Sequence, residues 1–350
     1  FVNGNGGAIY NQGTLTLTQC TLSGNSASTF GGAIYNSGTL TLTQCTLSSN
    51  SAQIGGAIFN NLGTLTLTQC TLSGNSASSF GGAIFHGGTL TLTQCTLSGN
   101  SATHDGGAIF NDIFGTLMLT NTIAAGNNAS RGADVYNYLS STYTRNGANI
   151  VQTVLNDGTT TVNGTGTVIS AAPLLAPLGN YGGPTLTMPP LAGSPAIDAA
   201  VSSTATTDQR GAPLRDGDGN GTALADIGAV EFQRVIVTTA ADENDTPAGA
   251  LLSLREALRD DASGSTPAEL IAFAPGLSGS PIVLGSEIVI ANSVAIDAGS
   301  IAGGVTIDGG TGTNRIFTVN NGTTVALLNL ALTGGNGSGG GGGAILNNGA

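Results

Sequence analysis

GTLTLTQCTLSGN, residues Gly13 to Asn25, returns at 38–50 with one change (SSN at its end) and unchanged at 63–75 and 88–100. Cys20, Cys45, Cys70 and Cys95 therefore stand 25 residues apart. A fixed period of this length marks a solenoid, in which each repeat buries its apolar face only when a neighbour stacks on it. Inside the repeat, TLTLT alternates strictly, which sends Leu15 and Leu17 to one side and Thr14, Thr16 and Thr18 to the other. Gln19 is expected to bend the chain and reset this parity, so that Cys20 and Leu22 also point inward. GGAIYN (Gly6 to Asn11) supplies a third strand, and the turn residues between the three close a coil. The expected fold is all-β: a right-handed parallel β-helix with three-strand coils of about 25 residues and one short capping α-helix. Asn25, Asn50, Asn75 and Asn100 share the same period, as an amide ladder along a turn would.

The composition agrees with a coil stack and excludes several function classes. The chain has 350 residues, 56 of them glycine, no lysine, no tryptophan and 8% charged residues. Its net charge is −12, and its eight basic residues are scattered arginines, so nucleic acid and anionic membrane surfaces are not expected partners. No apolar run approaches the roughly 20 residues that span a bilayer, so no membrane insertion by this segment is expected. The cysteine spacing suits neither a zinc site nor a compact disulfide framework, and reads as a buried ladder of reduced thiols.

Along the chain, residues 1–130 read as regular coils, with a degenerate fifth coil from Gly106 to Asn127 that places Asn121 in the cysteine column. Residues 131–233 read as irregular coils and the terminal region of this first β-helix. Residues 234–275 read as an opening segment with a capping helix at 253–262, where Ser253 and Glu256 have capping-box spacing and Leu254, Ala257 and Leu258 share a face. Residues 276–350 read as the start of a second β-helix. The closing GGGAILNNGA repeats the opening GGAIYN, Gly342 standing 336 residues after Gly6, which suggests a fragment of a larger tandem-repeat protein.

GGAIYN and TLTLTQCTLSGNSA, with their copies, resemble the repeats of right-handed parallel β-helix surface proteins of bacteria, including the polymorphic outer membrane protein type. Gly182 to Phe232 (GGPTLTMPPLAGSPAIDAA, then DQRGAPLRDGDGNGTALADIGAVEF) resembles a choice-of-anchor Q terminal region. Val237 to Leu258 resembles a CSLREA segment, with Leu252 where that family has its cysteine. The resemblance implies a large extracellular or cell-surface protein and assigns no chemistry.

Residue chemistry points the same way. Phe1 to His104 contain no Asp, Glu, Lys or Arg, whereas glycoside hydrolysis needs paired carboxylates and lyase chemistry needs a base with charge-stabilising groups. The leading expectation is a non-catalytic structural and adhesive β-solenoid, with no cofactor required, contacting glycan, a cell surface or neighbouring copies. One alternative is a pectate-lyase-like carbohydrate-active enzyme whose site lies among Asp105, Asp112, Asp134, Arg131 and Arg145. A second is ice binding through the flat array Thr14, Thr16, Thr18, Thr39, Thr41, Thr43, Thr64, Thr66, Thr68, Thr89, Thr91 and Thr93. Calcium is the candidate ion. Asp216, Asp218 and Asn220 followed by Gly221 repeat the first half of an EF-hand loop, with Asp226 as a further ligand and Ile227 where the closing glutamate belongs. Asp242, Glu243 and Asp245 form a second acidic cluster. His86, in the column of Asn11, Asn36 and Asn111, and His104 read as tolerated turn residues. The GxGxxG at Gly335, Gly337 and Gly340 lacks a doubly wound context.

Overall fold

The computed structural model describes residues 4–245, 251–262, 269–310, 314–337 and 340–349, and the side chains of 260–262 are not among those described. Parts of the expected opening segment (246–250 and 263–268) and Ala350 of the closing repeat lie outside the described residues. Two compact units make up the chain, Phe1–Glu231 and Phe232–Ala350.

In the first unit the alternation in TLTLT does what strand geometry requires. Leu40, Leu42, Leu65, Leu67, Leu90 and Leu92 are fully buried, and the threonines between them face outward. Leu15 pairs with Leu40, Leu40 with Leu65, Leu65 with Leu90 and Leu90 with Leu117, all in parallel register, so one aliphatic row runs through successive coils. Three seven-stranded parallel sheets result. The first begins with Ile9–Asn11, Ile34–Asn36 and Ile58–Asn60, the second with Thr14–Thr18, Thr39–Thr43 and Thr64–Thr68, and the third with Thr21–Ser23, Thr46–Ser48 and Thr71–Ser73. A short fourth sheet holds Ser51–Ile54, Ser76–Phe80 and Ser101–Ala102.

The bend between the second and third sheets falls on Gln19, Gln44, Gln69 and Gln94, all with φ between 47° and 54°. This left-handed conformation breaks the two-residue alternation, so Cys45, Cys70 and Cys95 and then Leu47, Leu72 and Leu97 also point inward at zero exposure. In the fifth coil the same conformation belongs to Asn121 (φ 48°). Thr93 pairs with Thr120 and Thr96 with Ile123, so Asn121 occupies the glutamine column and Thr122 the cysteine column. The expectation for Asn121 was one residue out of register. The Thr122 hydroxyl takes the place of a thiol, donating to the Thr120 carbonyl at 3.0 Å and accepting from the Cys95 amide at 3.3 Å. All four cysteines are free thiols.

Two amide ladders hold the turns. Asn25 Nδ2 donates to Asn50 Oδ1 (3.0 Å), Asn50 to Asn75 (2.9 Å), Asn75 to Asn100 (2.9 Å) and Asn100 to Asn127 (2.9 Å). Every amide in this row donates in the same direction, and the row ends on a carboxylate. Asn127 donates to the carboxylate of buried Asp134 at 2.9 Å. The second ladder runs Asn11 to Asn36 to Asn60 (2.7 and 2.6 Å) and resumes from Asn111 to Asn137 to Asn156 (2.9 and 2.8 Å). His86 stands in the gap. It is fully buried, neither ring nitrogen has a partner, and Asn111 Oδ1 is left without a donor.

Within 131–231 the chain does two different things. Val135–Asn137 through Thr167–Ile169 add the sixth and seventh strands of each main sheet. Residues 170–231 then lie as a strap along the outer side of the third sheet, folded on itself by isolated antiparallel bridges such as Gly179 to Thr187 and Thr207 to Pro213. Leu186 accepts from the Thr46 hydroxyl, Gln209 bonds both Thr46 and Thr71 (2.9 and 2.6 Å), and Ala229 donates to Thr96 at 3.0 Å. Thr46, Thr71 and Thr96 point outward by parity, and this cover is why they are buried.

The second unit repeats the architecture with less regular coils, in parallel sheets of four, three and three strands. Its helix, Leu254–Ala262, packs on the edge strands Arg234–Val237 and Ile288–Ile290, with Leu254, Ala257 and Leu258 in the core. The capping box forms as the spacing predicts. Ser253 N donates to Glu256 Oε2 (2.9 Å) and Glu256 N to Ser253 Oγ (3.1 Å), which holds the Glu256 carboxyl below its usual range. Leu252, in the position of the family cysteine, packs against the same core.

Candidate functional site

Strand register decides what the threonine face becomes. Thr14, Thr39, Thr64 and Thr89 form one column, Thr16, Thr41, Thr66 and Thr91 a second, and Thr18, Thr43, Thr68 and Thr93 a third. All twelve expected residues therefore share one sheet face. Neighbours are about 4.8 Å apart between coils and about 6.7 Å along a strand. The array is longer than the sequence repeat indicated, because Thr116, Thr120, Thr142, Thr144 and Thr161 continue the columns, while Met118 interrupts the middle one. Those positions were hidden by sequence drift, although their spacing from Thr89 to Thr93 could have been counted. Among the described residues, none of the twelve hydroxyls is hydrogen-bonded to another protein group, so each remains free to bond water or a ligand.

A second array lies on the outer side of the first sheet. Tyr10, Tyr35, Phe59, Phe85, Phe110 and Tyr136 stack ring on ring, with successive centroids 4.6, 5.5, 5.0, 5.0 and 5.1 Å apart. Arg131 sits 5.1 Å from the Tyr136 ring centroid, a cation–π contact at the charged end of the row.

The acidic residues of the strap form two overlapping groups. Asp198, Asp226 and Glu231, all buried, bring one oxygen each to within 4.8 Å of one another, and so do Asp198, Asp216 and Asp218. Asp198 is the common member, and the sequence reading passed over it because it is separated from the DGDGNG loop by the turn at Asp208. Asp226 belongs to the group with Glu231 and does not join Asp216 and Asp218, so the four expected calcium ligands are not assembled as one set. Backbone amides explain the separation. Asp226 accepts from Asp198 N (2.7 Å), while Asp198 accepts from Asp218 N (2.8 Å) and Leu224 N (3.0 Å). Within the loop, Asp216 accepts from Gly219 N and Gly221 N (2.7 and 2.9 Å), and Asn220 donates its amide to Asp218 at 2.8 Å. These bonds outweigh the desolvation that opposes them and hold the Asp216 carboxyl below its usual range. The loop is thus closed by its own carboxylates, as an Asx-type turn. Burial and the neighbouring Asp226 push the Glu231 carboxyl well up, while its Oε2 accepts from Asp226 N at 3.1 Å. Nearby, Asp208 is held in a fully buried ion pair with Arg210 at 2.9 Å.

The charged residues of the later coils are dispersed. Asp105 forms a bidentate pair with Arg131, both bonds 2.8 Å, and Asp134 terminates the amide ladder. Arg145 lies in a leucine column, opposite Leu119, and Asp112 stands in a surface loop. Burial raises the Asp112 carboxyl. In the second unit, Asp242 holds Arg255 of the helix at 2.7 Å, and Asp245 N donates to Glu256, so this acidic cluster anchors the helix N-terminus. His104 packs against Phe80 at 5.5 Å.

Residues 19–37, 69–87 and 94–112 match the Chlamydia polymorphic membrane protein repeat. Each match starts at the bend glutamine, passes through the cysteine and asparagine columns and ends beyond the GGAI strand. The threonine strands Thr64–Thr68 and Thr89–Thr93 lie outside all three. No curated protein and no solved structure matches the chain.

Proposed function

We propose that this chain is part of a non-catalytic, surface-exposed shaft that adheres to a glycan or cell surface through the threonine face. The observation that carries this reading is the set of three in-register columns of unbonded hydroxyls on a rigid sheet, across coils with no charged side chain. Each contact to such a row is weak, and rigid repetition converts weak contacts into avidity through high effective concentration. The match to a surface-protein repeat in the coil framework supports the location, and the resemblance to choice-of-anchor Q and CSLREA segments agrees with a secreted bacterial protein. Dispersed charges support the non-catalytic part, since Asp105 and Asp134 are each committed to partners. The acidic groups of the strap offer oxygen ligands for calcium only as two sets sharing Asp198.

Glycan arrays and whole-cell binding test the proposal with the triple variant Thr41→Val, Thr66→Val, Thr91→Val, which keeps shape and strand preference. Binding by the parent and at least a tenfold loss in the variant are expected. Equal binding by both proteins would sink the reading. The regularity of the lattice also favours ice binding as a second reading, which thermal hysteresis of the parent protein would select.

A further inference from the structure

Through five coils the second sheet turns two leucine columns inward, which reach Leu117 and Leu119. The sixth coil replaces both. Tyr143 stands opposite Leu117 and Arg145 opposite Leu119, so two polar side chains enter an interior that two more leucines would have filled. Tyr143 is 2% exposed and its hydroxyl has no hydrogen-bond partner, and Arg145 Nε is buried without one as well. Among the described residues no carboxylate pairs with Arg145, whereas Asp105 holds Arg131 and Asp208 holds Arg210. The two groups act on each other, since burial pushes the Tyr143 phenol up to about 12 and the Arg145 charge opposes that rise.

The seventh coil leaves this pair approachable from the end of the stack. Val162 stands over Tyr143 and, two residues on, Gly164 falls over Arg145, where a side-chain carbon would collide with the Arg145 carbonyl oxygen. Glycine here adds no side chain above the guanidinium. Val154 continues the interior column of Val135. Val135 is fully buried, yet Val154 is 36% exposed and Val162 42% exposed. Interior positions that stay exposed mark an open mouth, apolar at its rim and cationic beneath.

We propose that this end of the stack binds a small organic carboxylate, with Arg145 as its ion-pair partner, Tyr143 as a second donor and Val154 and Val162 against its apolar body. The planar donors of a guanidinium match a carboxylate in two parallel bonds. A single positive charge selects the same class, because a phosphate dianion would bring a second charge into a low-dielectric interior with nothing to neutralise it. An apolar mouth with a few convergent polar groups is also the general form of a small-ligand site. The site faces the interior, away from the threonine columns, and does not depend on the adhesive reading.

Titration of the full chain with butyrate, followed by calorimetry and through the arginine Nε–H resonances, tests it against butyramide, which has the same shape without the charge. Butyrate is expected to bind at least about tenfold more tightly than butyramide and to shift one Nε–H resonance. With butyrate bound, a parallel titration with glucuronate separates the sources. Competition by glucuronate assigns the carboxylate to an acidic sugar, and its absence assigns it to a free organic acid. Arg145→Leu extends the leucine column, so it is expected to raise the melting temperature while abolishing binding. Tyr143→Phe keeps the packing and is expected to weaken binding at least about threefold. No binding of butyrate, equal binding of butyramide, tighter binding of inorganic phosphate, or either variant binding as the parent does overturns the proposal.

Discussion

Replacing His86 with asparagine should stabilise the protein by about 3 kcal/mol at neutral pH. His86 Nδ1 and Nε2 and Asn111 Oδ1 are buried without partners, and each such atom costs about 1–3 kcal/mol. Asparagine at this position would accept from Asn60 and donate to Asn111, as Asn36 does between Asn11 and Asn60. The smaller side chain returns about 1 kcal/mol of this gain as unfilled space. Acid adds a second signature. Burial lowers the imidazole from 6.5 to about 3. The unfolded chain therefore binds a proton below pH 6.5 that the folded chain refuses. Stability is full above pH 6.5 and falls by about 1.4 kcal/mol per pH unit toward pH 3, about 5 kcal/mol in all. The variant lacks this dependence, so its lead over the parent must widen on acidification, while other titrating groups cancel in the comparison. Urea unfolding of both proteins between pH 7 and pH 3.5 reads the difference. A variant less stable than the parent at pH 7, or a lead that stays constant as pH falls, refutes the reasoning.

Asp134→Ala leaves the donors of Asn127 and Thr153 without their acceptor and should cost about 3–5 kcal/mol, measured by thermal melting. Arg210→Ala removes the cation paired with the buried Asp208 carboxylate, which keeps only its backbone amide donors. It should destabilise the protein by about 3–5 kcal/mol and expose residues 170–231 to protease, read by limited proteolysis with mass spectrometry. Of the four thiols only Cys20 should be alkylated in the native protein, because the other three are buried and the neighbouring thiols and burial push Cys45 and Cys70 well up. Labelling of Cys70 at the rate of Cys20 would contradict the packed column.

Periodicity made part of this structure legible in the sequence. The leucine rows, the bend at Gln19 and its copies, the asparagine row and the Ser253 capping box all rest on local spacing, and each appears where that spacing places it. The Asn121 position slipped by one residue because the fifth coil keeps TLT strand pairing while losing the QC pair that anchors register. The strap stayed hidden for a different reason. Its contacts join residues far apart in the chain, as Gln209 joins Thr71, and nothing periodic in the sequence announces them. Asp198 was invisible for the same cause, since only the folded strap brings it to Asp216, Asp218, Asp226 and Glu231.

The one-directional asparagine row makes coil number a free variable for the protein. Each amide recognises only an identical group one storey up, so duplicating a whole repeat inserts a storey that needs no new kind of bond. Only the terminus is particular: in this row the last amide meets a carboxylate, whereas the second row closes on the Asn156 amide. Asp134 supplies that carboxylate. A chain could lengthen or shorten by whole coils over evolutionary time, by roughly 4.8 Å per step, so long as an acceptor still closes the row.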